Sequence, residues 1–479
     1  MAAQEDKNFI VETHSIDFIP PNLRHGKASD LLFLWFGANC NMAVFATGLI
    51  VMVPNFGLGW AILGIIVGTL IGSIFMAFHS AQGPHLGIPQ MIQSRAQFGY
   101  FGAIVPLIMV VVMYLGFFAA GAVIGADAIA RITHLSVTDS LLLSSVGVFL
   151  LVLTGYNMIH WVNRIMSYIY IVVFLILTAV VLASPPNGPH ATSHPVGFLL
   201  GPFLLSVSLA VINTLAYAPY VADYSRYLPE ETTVRSTFWY SYIGVAVSNM
   251  WMMILGAMIA LRFVSQNPVS GLAVFGKHVD GFFMFVVLLV AGIGIITINS
   301  LNIYGGFMSS LTTLSTFFPK WKANLSLRLW FIIPFTVVGT YLGYLAESNI
   351  LNGFEAFLTL LIDFLVPWTA INLTDYYLVR RGQYSVPNIF NPDGIYGRIN
   401  TWAFVAYFGG FLAEMPFMNT LVYEGPVAKL LSNGDISWIP GVIVSGLIYL
   451  IASRRYLVSS PYGIGESIED LASRTPKGR

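Results

Sequence analysis

Charge is scarce in this sequence. Only 9% of its 479 residues are Asp, Glu, Lys or Arg, while 56% are hydrophobic. Soluble domains carry about 25% charged residues, so the chain reads as a polytopic membrane protein. The formal net charge is zero, and no basic patch supports nucleic-acid binding. Cys40 is the single cysteine, which excludes an intrachain disulfide and a thiolate metal cluster. The nine histidines form no H-E-x-x-H. There is no G-x-S-x-G and no phosphate-binding loop with its lysine, so neither an enzyme nor an ATP-driven pump is indicated. No cofactor and no metal centre are expected. The tract before Lys27 has no early apolar run, so no cleavable signal peptide is expected.

Long apolar runs are what the chain does have. Twelve of spanning length fall at 31–53, 60–80, 100–130, 140–157, 161–183, 196–221, 237–261, 281–304, 327–346, 355–378, 401–422 and 436–453. Residues 1–29 and 456–479 read as cytoplasmic tails. The polar stretch 83–99 reads as a loop or a short interfacial helix. With the N-terminus inside, only Arg131, Arg262, Lys277 and Lys429 of the 22 Lys and Arg residues fall outside. That bias predicts an even number of spans and cytoplasmic termini. Gly64, Gly68 and Gly72 recur every four residues in the second span and give a smooth face for close packing.

Two spans are interrupted. The first holds Gly37, Asn39, Cys40 and Asn41 where lipid would favour Leu and Ile. Such a segment is tolerated where it packs on protein or lines a wet cavity. Gly and polar interruptions in corresponding spans point to a transporter binding site. The sixth span holds Ser206, Ser208, Asn213, Thr214 and Tyr217, and Pro219 should kink or open it. The two breaks occupy corresponding positions if 30–183 and 196–378 are inverted repeats of five spans each, with 399–455 supplying two more.

Side chains that suit a planar polar solute are few. Asn299 and Asn302 share one face of the eighth span, and amides both donate and accept. They would pair with a heterocycle, or else with neighbouring helices. Tyr114, Phe117 and Phe118 of the third span could stack on a ring, or simply pack. Intramembrane carboxylates are functional suspects. Asp127, Asp363 and Glu414 lie at depth, and Asp363 is the most enclosed by apolar sequence, which suits a proton carrier. Asp223 and Arg226 share a face and read as a local ion pair.

Several segments together resemble the nucleobase–cation symporter family, in particular its purine–cytosine permease-like members. They are L-W-F-G-A-N-C-N ending at Asn41, the stretch from Gly87 to Gly102, I-H-W-V-N ending at Asn163, A-D-Y-S-R-Y-L-P ending at Pro229, N-S-L-N-I-Y ending at Tyr304, and D-Y-Y-L-V-R-R-G ending at Gly382. The resemblance implies an all-α LeuT-type five-plus-five inverted repeat with 12 transmembrane helices. It implies import of a nucleobase or related heterocycle, hydantoin or allantoin included, together with H+ or Na+ by alternating access. It places the substrate among Asn41, Tyr114, Asn213, Thr214, Tyr217, Asn299 and Asn302, to which the reading of the third-span aromatics adds Phe118. It places the coupling cation near Gly37, Cys40, Gly294 and Thr297, and the apolar enclosure of Asp363 adds that carboxyl as a proton site. Two departures stand out. Many relatives have a Gln where this third span reads Phe117, Phe118 and Ala119. Ile298 also lacks a hydroxyl that the sodium-coupled members use. A hard cation wants oxygen ligands, so the departure at Ile298 favours protons. The expected partners are a small heterocycle and the lipid bilayer. An amino-acid:cation symporter on the same architecture is the alternative, because a broken helix can present backbone N–H groups to a carboxylate. A non-transporting sensor or channel is a third.

Overall fold

In a computed structural model, residues 16–184, 197–262, 268–318 and 325–454 are described. The tails expected at 1–29 and 456–479 lie mostly or wholly outside them. The described residues are almost entirely helical. The first span is two half-helices, Asp30–Asn39 and Met42–Ile50, bent by 57°. Spans two to five are Leu58–Ser80, Ile104–Thr133, Val137–Leu153 and Tyr156–Ala183. The sixth runs Leu200–Leu215, tightens into a 3-10 turn at Ala218–Tyr220, and resumes over Val221–Ser225. Spans seven to ten are Val234–Arg262, Gly281–Ser315, Leu325–Ala346 and Ile350–Leu373. Thr401–Glu414 and Trp438–Ala452 complete the set. Large apolar side chains cover the outer faces, as hydrocarbon contact requires: Phe33, Leu412 and Trp330 are exposed, the last by 77%.

Two boundaries differ from expectation. The eighth span continues to Ser315 because Gly305 and Gly306 do not stop it. Their bare faces take the rings of Tyr114 and Phe335, so neighbouring side chains fill the space. The eleventh span ends at Glu414 because Pro416 opens a 3-10 turn, Met415–Phe417. The 83–99 stretch holds the helix Gln90–Phe98, and every residue of it is buried. It is therefore inside the protein and not at the lipid interface. Its polar side chains have partners there: Arg95 donates to Ser315 and Thr316, Gln97 to Asp375, and Ser94 accepts from Trp368.

Glycine seams set how closely the helices approach. A side chain at Gly64, Gly68 or Gly72 would collide with the sixth span at Ser206, at the Val207 carbonyl, or at Thr214 and the Val211 carbonyl. The first and seventh spans meet the same way, with Gly48 on the Met253 carbonyl, Gly244 on that of Leu32 and Gly256 on that of Phe45. The third and eighth spans form a third close pair, here glycine against side chain, with Gly121 on Asn299, Gly125 on Ile295 and Gly292 on Ile129. Small residues at such contacts let backbones pack where lipid offers no hydrophobic drive. Gly68→Leu should therefore destabilise the protein by about 1–3 kcal/mol or more. Thermal unfolding in detergent checks this. Gly59→Ala, at a glycine with nothing within 4 Å of the added carbon, should leave the melting temperature unchanged.

Candidate functional site

The interruption of the first span is capped from within, while Asn39 Oδ1 and Trp35 Nε1 beside it have no hydrogen-bond partner among the described residues. Cys40 leaves helical geometry, with φ −73° and ψ 71°. Asn41 then caps the second half-helix: its Oδ1 accepts from the backbone N–H groups of Ala43 (2.9 Å) and Val44 (3.1 Å), and its Nδ2 donates to the Ala38 carbonyl (2.7 Å). Asn39 donates back to the Trp35 carbonyl at 3.1 Å. The Tyr217 hydroxyl, from the break in the sixth span, donates to the same Ala38 carbonyl at 3.3 Å. The two breaks therefore touch.

An aromatic cluster is built around that contact. Trp35 stands edge-on to Tyr217 (5.6 Å between ring centroids) and to Tyr224 (5.4 Å). Tyr220 lies 5.6 Å from Tyr217 and 5.5 Å from Tyr114, tilted 37° to the latter. Tyr114 rests on Gly305. Gly305 follows Asn299 and Asn302 at three-residue steps, so all three line one face of the eighth span. Asn302 Nδ2 donates to Asn299 Oδ1 (3.1 Å), and Asn299 Nδ2 donates to the Phe118 carbonyl (3.0 Å). Asn299 is fully buried, whereas Asn302 is only partly so.

Other expected residues lie elsewhere. The Phe118 ring turns away from the cluster onto Gly339 and Phe335 of the ninth span, so only its carbonyl reaches Asn299. Helical phase puts Phe118 on the same face as Tyr114 and Gly121, and the ring leaves that face for the space that Gly339 leaves open in the ninth span. Asn213 ties the sixth span to the first through Thr47 Oγ1 (2.9 Å). Thr214 bonds its own helix at Ala210 and Val211 and covers Gly72. Neither lines the aromatic cluster. Gly37 packs on Ser167 of the fifth span, and Tyr170 of that span covers Gly294. The Thr297 hydroxyl donates to the Gly294 carbonyl at 2.8 Å. Asn163 joins the fifth span to the eighth at the Thr297 carbonyl (3.2 Å). Asp127 forms an ion pair with Arg131 at 3.0 Å. Asp363 is buried among spans ten to twelve.

A family model described as permease for cytosine/purines, uracil, thiamine, allantoin matches residues 18–441. The chain belongs to this family. The permease is 44% identical, over 451 residues, to a putative purine-cytosine permease of Bacillus subtilis, covering 93% of this chain and 97% of that relative. It is 23% identical over 447 residues to a hydantoin permease of Microbacterium maritypicum, covering 88% and 85%. In fold it is similar to Mhp1 in an inward-facing conformation, with TM-score 0.76, 18% identity and coverage of 99% and 100%. It is also similar to Mhp1 in a closed conformation, with TM-score 0.73, 18% identity and coverage of 95% and 98%. That second structure is described as a nucleobase-cation-symport-1 family transporter with bromovinylhydantoin bound. The permease is thus an all-α, multi-pass membrane protein with the LeuT-type five-plus-five architecture.

Sequence reasoning missed Tyr220 and Trp35. Tyr220 directly follows Pro219, and a residue leaving a broken helix is freed from the helix's facing rule. Trp35 lies one turn before the interruption. Because Asn41 is a helix cap, Asn41→Ala should cost about 0.5–2 kcal/mol of stability, and Asn41→Ser should recover part of it. A thermal shift in ligand-free protein measures this, and a side chain that only contacted a solute would show none.

Proposed function

We propose that this permease imports a neutral, planar heterocycle of the nucleobase or hydantoin type, coupled to a cation gradient, by alternating access. The observation that carries the reading is the shared face of Asn299, Asn302 and Gly305, which puts an amide pair about one helical turn from the tilted Tyr114–Tyr220 pair. Rings with alternating N–H and C=O groups need both an amide edge and an aromatic face. Tyr114, Tyr217 and Tyr220 would supply the aromatic face, and Asn302, held by the buried Asn299, would read the edge. Mhp1 with a bound hydantoin, and relatives named for purine and cytosine, support the substrate class.

The amino-acid alternative is disfavoured by the cap. In a carboxylate-binding broken helix the free N–H groups receive the anion, whereas here Asn41 already accepts from Ala43 and Val44. We read 30–183 and 196–378 as the two repeats and both termini as cytoplasmic, on the distribution of Lys and Arg.

For the coupling ion the reading favours protons. Ile298 offers no oxygen to a hard cation, and Asp363 is a carboxyl in the spanning region.

Two outcomes test these readings. Asn302→Ala should weaken heterocycle binding roughly 5–150-fold, the equivalent of about 1–3 kcal/mol for an unpaired buried polar group, with the protein still monodisperse. Unchanged affinity would remove the amide from the site. Vesicle uptake should run on an imposed pH gradient without sodium, and Asp363→Asn should abolish it. Accumulation on a sodium gradient alone, with wild-type uptake in Asp363→Asn, would reverse the ion assignment.

A further inference from the structure

Spans ten, eleven and twelve meet away from the aromatic cluster, and three carboxyl groups converge there. Asp363 is 1% exposed, Glu414 0% and Asp435, in the loop ahead of the twelfth span, 1%. Asp435 is well held. Its Oδ1 accepts from the Ser437 backbone N–H (2.9 Å) and hydroxyl (2.7 Å), and its Oδ2 from the Asn419 N–H (2.8 Å). Burial still pushes the Asp435 carboxyl up, against those bonds. Asp363 and Glu414 are different. Among the described residues, neither oxygen of either side chain has a hydrogen-bond partner.

The surroundings are shaped to hold acids, not to neutralise them. Glu414 lies in a notch left by Gly441, where any Cβ would collide with its Oε1. One turn further along both helices, Ser445 covers Gly410 and its buried hydroxyl is also unpartnered. The titratable groups within electrostatic reach of Asp363 and Glu414 are one another, Asp435 and the Tyr407 phenol. Among the described residues neither Asp363 nor Glu414 is in an ion pair. The Ser437 hydroxyl borders Asp363 as well. Among the described residues no acidic cluster has the arrangement of a metal site. An unpaired buried carboxylate costs several kcal/mol, and a second like charge beside it adds to that, so such groups take up protons instead.

We propose that Asp363, Glu414 and Asp435 form a proton-holding site at the junction of spans ten, eleven and twelve, separate from the heterocycle site. The proton sits on a carboxyl oxygen of Glu414 or Asp363. Loading the site forms one O–H bond on a carboxylate oxygen and unloading it breaks that bond, with Ser437 beside Asp363 and Ser445 one turn from Glu414 as hydroxyl neighbours. The site is mechanically attached to the substrate region. The Ser208 hydroxyl of the sixth span donates to the Asp435 carbonyl at 2.6 Å, and Gly201 and Leu204 of that span pack on Ser432 and Gly434. The tenth span also touches the Met42–Ile50 half-helix and the third and sixth spans. The proposal deepens the proton-coupled reading above by adding Glu414 and Asp435 to Asp363.

The test is infrared spectroscopy of the full chain in lipid nanodiscs at neutral pH, reading the carbonyl stretch of protonated carboxyl groups. Wild type should show the signal. Glu414→Gln and Asp363→Asn should each lose one carboxyl's share of it while remaining monodisperse, because an amide mimics a neutral acid in size. Gly441→Ala keeps all three acids but crowds Glu414. It should shift the band without removing it, and it serves if an amide variant fails to fold. A signal identical in wild type and all three variants overturns the site. Sodium-driven uptake in wild type, with the carboxyl signal still lost in Glu414→Gln, would overturn the ion assignment above and leave the proton-holding site standing.

Discussion

Backbone N–H and C=O groups cannot be left open inside a bilayer, and the break in the first span is where that requirement is sharpest. A helix stopped at Asn39 and restarted at Met42 frees donors and acceptors at mid-membrane. The protein answers with its own side chains. Asn41 takes two N–H groups and returns one bond to Ala38, and Tyr217 adds a second bond to that carbonyl. The same contact brings the sixth span's 3-10 turn against the first span and gathers Trp35, Tyr217, Tyr220 and Tyr114. The cluster is a consequence of how the break is closed.

An uncharged, amide-edged and aromatic-walled site follows from the same economy of charge that marks the whole chain. Ionised groups are placed where they can be paired. Asp375, fully buried, accepts from Gln97, Arg380, Tyr384 and Tyr449. Asp363 and Glu414, which have no such partners, stand apart from the aromatic cluster, so on the proposed reading proton holding and ring recognition would occupy different helices joined through the sixth span.

Much of this was legible in the sequence. Pro219 and the Gly-Ala-Asn-Cys-Asn interruption marked both breaks because each breaks a rule of membrane helices. The four-residue glycine spacing in the second span marked its contact face, and the eighth-span amides marked theirs. Side-chain commitments were less legible. Nothing in the residue type shows that Asn41 caps a helix, that the Phe118 ring points to the ninth span, or that Asn213 bonds Thr47. Those depend on helix phase and on neighbours far away in the chain. Glu414 and Asp435 escaped notice as companions of Asp363 for the same reason: each belongs to a different element, and only packing joins them.

The glycine seams carry a consequence for motion. Where backbone lies directly on backbone there are no flexible side chains to absorb a slide, so such contacts behave as welds. Through Gly68 and Gly72 span two lies on the backbone of span six, and through Gly48, Gly244 and Gly256 span one lies on that of span seven, whereas spans three and eight meet at Gly121, Gly125 and Gly292 through the side chains of Asn299, Ile295 and Ile129. Spans three and six meet instead through rings, the 5.5 Å pairing of Tyr114 with Tyr220 among them, so seams of stiff backbone contact stand beside a seam of side chains that can repack.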